Sequence, residues 1–189
     1  MTRPEAFDTL KTLISNPNLI KHCLACEAIM IALCLHFNPD ADEVTVNKWG
    51  TVGLLHDGDY EETKDDPKKH TLVLEEQIGD KIDQDVMYAI KAHNYLNNGA
   101  VPKTLMDWSI YCCDELSGLI VAAALIHPDK KLTSLDTNFI MKRFNDSAFA
   151  RGANREQIKT CETKLNIPLE DFINLSLSAM QRISNELGL

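Results

Sequence analysis

No stretch of this chain alternates apolar and polar residues over the length of a strand, so nothing in it supports a sheet. There is no internal repeat and no low-complexity tract. The start, Met1-Thr2-Arg3-Pro4-Glu5, lacks the basic-then-apolar pattern of a signal peptide, and no apolar run reaches the ~18 residues a bilayer span needs. The expectation is a cytoplasmic protein with no membrane partner. The 189 residues carry a net charge of −9 and no strongly basic run, which argues against nucleic acid as a partner. Neither a G-x-x-x-x-G-K-[ST] loop nor a G-x-G-x-x-G occurs, so ATP-coupled and dinucleotide redox chemistry have no support. The C-x-x-C formed by Cys23 and Cys26 has no second pair to complete a zinc site and lies in an apolar helix. All six cysteines read as reduced core residues. Nothing in the sequence speaks to oligomeric state.

What is present is helical. Hydrophobic content of 44% with 25% charged residues suits a globular protein long enough to bury a core. Apolar periodicity places helices over 4–14, 19–37, 44–57, 67–78, 83–94 and 104–127, then over 135–144, 155–165 and 168–187. The fold class expected is all-α, with residues 1–127 forming the main helical domain and 128–189 a helical extension packed on it. Gly50 and Gly53 each lower helix propensity by about 1 kcal/mol; close packing and flexibility explain them equally well. Glu27 faces solvent or pairs with a base, and His36 is a surface or helix-capping residue.

The chain is organised around Leu54-Leu55-His56-Asp57-Gly58-Asp59-Tyr60, where an apolar helix ends in an adjacent His-Asp pair. Imidazole nitrogen and carboxylate oxygen both bind divalent transition metals. A lone His-Asp pair says little, but His22 lies on an apolar helix upstream, and His70 and His93 follow. Asp114 is set among apolar neighbours in Ile110-Tyr111-Cys112-Cys113-Asp114-Glu115. A buried carboxylate there requires a cation or strong donors. For His93 the alternative to a ligand is a hydrogen bond to a buried carbonyl. The acidic loop 59–66 is either solvated or a rim supplying an acid or base.

The order H, HD, H, H, D resembles the HD superfamily of metal-dependent phosphohydrolases. Ala89-Ile90-Lys91-Ala92-His93-Asn94 and Ile110-Tyr111-Cys112-Cys113-Asp114 look most like its symmetrical diadenosine tetraphosphatases. Phe149-Ala150-Arg151-Gly152-Ala153-Asn154-Arg155 is similar to small predicted HD hydrolases. The resemblance implies an HD-domain helical bundle whose metal ligands are His22, His56, Asp57, His70, His93 and Asp114. Asp57 is the bridge, and His70 and His93 are the ligands that mark a two-ion site. Six groups exceed what one tetrahedral ion uses. Their mixed nitrogen and oxygen character suits iron or manganese, with zinc possible, as one or two ions.

The activity this implies is hydrolysis of a phosphoester or phosphoanhydride, with a phosphorylated small molecule such as a nucleotide or dinucleoside polyphosphate as substrate and Asp57 at the catalytic centre. Lys64, Arg151 and Arg155 are candidates to hold its phosphates, with ordinary surface ion pairs as the equal alternative. Two other readings stand beside this one: a catalytically silent HD-fold sensor that binds nucleotide or metal, and a di-iron oxygenase.

Overall fold

Helix starts and stops are set by short polar signals, and the helices they delimit fill the chain. The computed structural model describes all 189 residues as helices and turns, with no strand. The elements are α1 (Arg3–Leu13), α2 (Pro17–Phe37), α3 (Glu43–Leu55), the single turn α4 (Tyr60–Thr63), α5 (Leu72–Ile78), α6 (Gln84–His93), the single turn α7 (Tyr95–Asn98) and α8 (Leu105–Ile126). They continue with α9 (Thr137–Phe144), α10 (Arg155–Thr160) running into a wide turn at Cys161–Leu165, α11 (Leu169–Arg182) and α12 (Ser184–Leu187). Asn16 caps α2 by accepting from the Asn18 amide at 2.9 Å, with Pro17 in the first turn where its missing N–H costs nothing. Thr104 and Asp107 cap α8 reciprocally.

Helices α2 and α8 are the centre of the bundle. α3 packs along α2, α6 lies on α8, and α8 crosses α2. Gly53 allows the α2–α3 contact: a Cβ there would stand 2.6 Å from the Cys26 carbonyl group and the Glu27 amide. Close packing, rather than flexibility, accounts for this glycine. Arg3 of α1 reaches across to Glu27 on α2, with Nε 2.9 Å from Oε1, so this buried glutamate pairs with a base. The last third joins the same core: α11 packs on α2, α8 and α9, and α10 with its wide turn packs on α8.

Two expectations need correction. Both α2 and α8 are long and apolar enough to cross a bilayer by length and mean hydropathy, although the sequence reading found no such stretch. Their apolar residues are largely buried against the other helices, the arrangement of core helices. Pro67 does not begin a helix. Residues 67–71 form turns, and α5 starts only at Leu72, after Thr71 adopts a left-handed backbone with φ 73°. His70 therefore sits on a turn, not one turn into a helix.

Candidate metal centre

Four imidazoles from four places in the chain meet at one end of α3. His22 comes from the second turn of α2, His56 caps the C-terminus of α3, His70 stands on the turn before α5, and His93 ends α6. Asp57 follows His56, and Asp114 lies halfway along α8. His56, Asp57, His70 and His93 are buried, while His22 and Asp114 are partly open to a cavity.

The hydrogen bonds of the rings fix their tautomers. His56 Nδ1 lies 2.9 Å from the Gly53 carbonyl, and His93 Nδ1 lies against the Ile90 carbonyl. A carbonyl only accepts, so both Nδ1 atoms carry the proton. His70 Nδ1 donates to Asp59 Oδ1 at 2.7 Å. Ser117 gives its hydroxyl proton to the Asp114 carbonyl, so its oxygen accepts from His22 Nδ1 at 2.9 Å. All four rings are thereby turned with Nε2, the lone-pair nitrogen of the neutral form, towards the others.

These nitrogens form two groups. His22 Nε2 and His56 Nε2 are 3.1 Å apart, and His70 Nε2 and His93 Nε2 are 3.0 Å apart. Asp57 stands between, with one oxygen for each group. Its Oδ2 is 3.5 Å from His22 and 3.7 Å from His56, and its Oδ1 is 3.2 Å from His70 and 3.7 Å from His93. Asp114 Oδ1 completes the first group, at 3.1 Å from His22 and 3.5 Å from His56. Donor atoms around an ion at about 2.1 Å stand roughly 3.0–3.4 Å from each other. Facing lone pairs repel unless a proton or a metal lies between them, so the donors fit a cation; His22, Cys26, His56 and Asp114, and likewise His56, Asp57 and His93, lie close enough together to hold a metal ion.

The charges show the same demand. Burial alone would raise the Asp57 carboxyl, but His56, His70, His93 and His22 around it hold it well below the usual carboxylate range. Burial favours neutral His70, yet hydrogen bonds to Asp57 and Asp59 outweigh it and push its pKa up to about 9. Burial lowers that of His93, keeping its Nε2 a lone pair. Metal binding to such a cluster would displace the protons its imidazoles hold.

Two contributors lie outside the six expected ligands. Asp59 is buried, and besides orienting His70 its Oδ2 accepts from the amides of Thr71 at 2.7 Å and Leu74 at 3.0 Å. Its place two residues after Asp57 was the available signal. Ser117 lies one turn beyond Asp114, the spacing that brings helix residues together. Cys26 is a buried core cysteine as expected, and its Sγ also stands 3.9 Å from His22 Nε2 at the back of the first group.

A cavity of about 720 Å³ opens over the cluster. Lys64 lines it, but Arg151 and Arg155 do not. Arg155 turns its guanidinium onto the carbonyls of Phe144, Phe149, Ala150 and Ala153. Arg151 is exposed beside a separate recess that it shares with Arg155 and Lys159. Of the three cations proposed to hold phosphate, only Lys64 faces the site. No family model, curated protein or solved structure matches this chain.

Proposed function

We propose that the protein is a metal-dependent phosphohydrolase that cleaves a phosphoester or phosphoanhydride with metal-activated water. The observation that carries this reading is the position of Asp57, whose two oxygens face two separate histidine pairs. A carboxylate so placed could bridge two ions. Four nitrogens with two carboxylates suit iron or manganese, with zinc as the third choice. Ions held by these residues would supply hydroxide near neutral pH and stabilise charge on the attacking and leaving oxygens. The resemblance of the H, HD, H, H, D order to HD-superfamily phosphohydrolases supports the same reaction class.

The chain's own residues then have distinct tasks. Asp57 and Asp114 provide the negative charge that retains the cations in a buried place, and the imidazoles hold their geometry through fixed Nδ1 bonds. Lys64, at the cavity wall, attracts the phosphoryl group and orients it towards the cluster.

The test is elemental analysis of protein purified without chelator, followed by chromatographic assay of all hydrolysis products, nucleotide and inorganic phosphate alike, with Mn²⁺ or Fe²⁺ against nucleotides and dinucleoside polyphosphates. Metal near two per chain with metal-dependent hydrolysis is expected. Metal with tight nucleotide binding but no turnover would make the protein a sensor. Dioxygen consumption without phosphate release would make it an oxygenase. No bound metal after reconstitution removes the reading entirely.

A further inference from the structure

We propose that this site takes a phosphomonoester: one terminal phosphoryl group on an apolar, ring-containing body. The inference rests on the hydrolase reading above and narrows its substrate.

The charge of the cavity carries it. Twenty residues line the space, and apart from the imidazoles of the cluster Lys64 is the only cationic side chain among them. The other charged residues there are Asp57, Asp114 and Glu115, all acidic. The side-chain amides on the wall do not replace missing cations. Asn94 Nδ2 donates to the carbonyls of Pro67 and His70, Asn97 Nδ2 to Asn94 Oδ1, and Gln157 Nε2 to the Tyr111 carbonyl. The nearest arginines are engaged or face elsewhere, beyond the wall that Ala153 shares between the two recesses. A dinucleoside polyphosphate brings one negative charge on every bridging phosphate. Only the phosphate at the cluster and one neighbour at Lys64 would find a counter-charge. Further phosphates would meet Glu115 and uncharged walls, where desolvating an unpaired anion is costly. A monoester concentrates about two negative charges on one group, and the cluster with Lys64 meets that need.

The rest of the wall is apolar. Leu19, Tyr60, Leu96 and Tyr111 all face the cavity, and Tyr60 and Leu96 are 45% and 68% exposed. Two such side chains at the mouth leave a surface that a ring system can cover. Tyr60 lies nearly perpendicular to His70, with ring centroids 5.9 Å apart, so a half-exposed aromatic ring stands beside the cluster. In the reaction a water oxygen bonds to phosphorus, the bond from phosphorus to the ester oxygen breaks, and that oxygen leaves as the alcohol with a proton from the water. Inorganic phosphate is the other product, and no oxidant or further reactant is needed.

The experiment compares kcat/KM of the Mn²⁺-loaded full chain on adenosine 5′-monophosphate, glycerol 3-phosphate and diadenosine tetraphosphate. Adenosine monophosphate is expected to exceed each of the other two by about tenfold or more, the size of a lost apolar or charge contact. Leu96→Asp is expected to raise KM for adenosine monophosphate about tenfold with kcat little changed. A ratio below tenfold, or a preference for the tetraphosphate, overturns the monoester assignment and leaves the hydrolase reading standing. A Leu96→Asp enzyme with unchanged KM overturns the apolar subsite. No hydrolysis of any of the three by metal-loaded protein, neither phosphate from the monoesters nor nucleotide products from the tetraphosphate, overturns the hydrolase reading itself.

Discussion

The two halves of the cluster are built to different standards. His22, His56 and Asp114 stand on α2, α3 and α8, long helices whose backbones are locked in the core. With Asp57 Oδ2 they offer four donors. His70 and His93 with Asp57 Oδ1 offer three, and His70 stands on a turn next to the left-handed Thr71. What rigid helices do for the first half, one buried carboxylate does for the second. Asp59 holds the His70 ring and the two amides that start α5. On the two-ion reading proposed above, a first half with more donors on stiffer elements should bind its ion more tightly, and the second half should be where metal is gained and lost.

The comparison breaks at the one residue common to both halves. Asp57→Ala removes a ligand from each, and phosphate release is expected to fall to background while circular dichroism stays helical. Turnover near the wild-type rate would take Asp57 out of the mechanism. His70→Ala is expected to act on one half only. Metal content should drop from about two per chain towards one, whereas Asp114→Ala should deplete the first half and reduce both occupancies, since the bridging carboxylate then sits beside an unfilled position. Equal metal content in the two variants would show that the halves are not independent in the way their scaffolds suggest.

Asp59→Asn probes the supporting layer. An amide nitrogen opposite His70 Nδ1 would favour the other tautomer and place a proton on Nε2, where the metal must bind. Affinity for the second ion is expected to fall about 10–100-fold, with the first unchanged by competition with a metal-sensitive dye. The same half should respond to pH. His70 keeps its proton until about pH 9 in the metal-free protein, held there by Asp57 and Asp59 against the opposing effect of burial. Below that value an entering ion displaces a proton, so affinity for the second ion should rise with pH up to about 9 and then level off. A flat profile would mean that His70 is not a ligand.

The difference between the halves also separates what could be read in the sequence from what could not. The long helices were legible because apolar periodicity and local caps such as Asn16-Pro17 and Thr104 decide them, and the sequence could single out the His and Asp residues they bring together. The turn before α5 was not. Pro67 looked like a helix start, but the start is set by Asp59, twelve residues before Thr71 in sequence, capturing backbone amides. Local propensity does not register a bond of that span. Arg155 was misjudged for a related reason. Residues 145–154 make a turn-rich segment with carbonyls lacking helical partners, and such groups must be satisfied when they are not exposed. An arginine directly after the segment, with five N–H donors, serves that need as readily as it would a phosphate.

The smallest effect expected sharpens the comparison from beneath the first half. Gly53 packs against the α2 backbone at a distance no real Cβ tolerates, and the atoms it would meet are backbone, which cannot rotate away. Gly53→Ala gains about 1 kcal/mol of helix propensity, but overpacking typically costs about 1–3 kcal/mol and here presses two helices apart. A net loss of up to about 2 kcal/mol follows, a fall in Tm of at most a few degrees for a chain of this size. The displaced helices carry His22 and His56, and the Gly53 carbonyl itself orients His56, so the first ion should bind more weakly. His70 and His93 hang from other elements and, with only their shared Asp57 tied to the end of α3, should lose less affinity. Metal titration of the variant should then show the gap between the two ions narrowed or closed. A variant that melts earlier yet loses both ions in parallel would mean that α2 and α3 support the whole cluster, and that rigidity does not distinguish its halves.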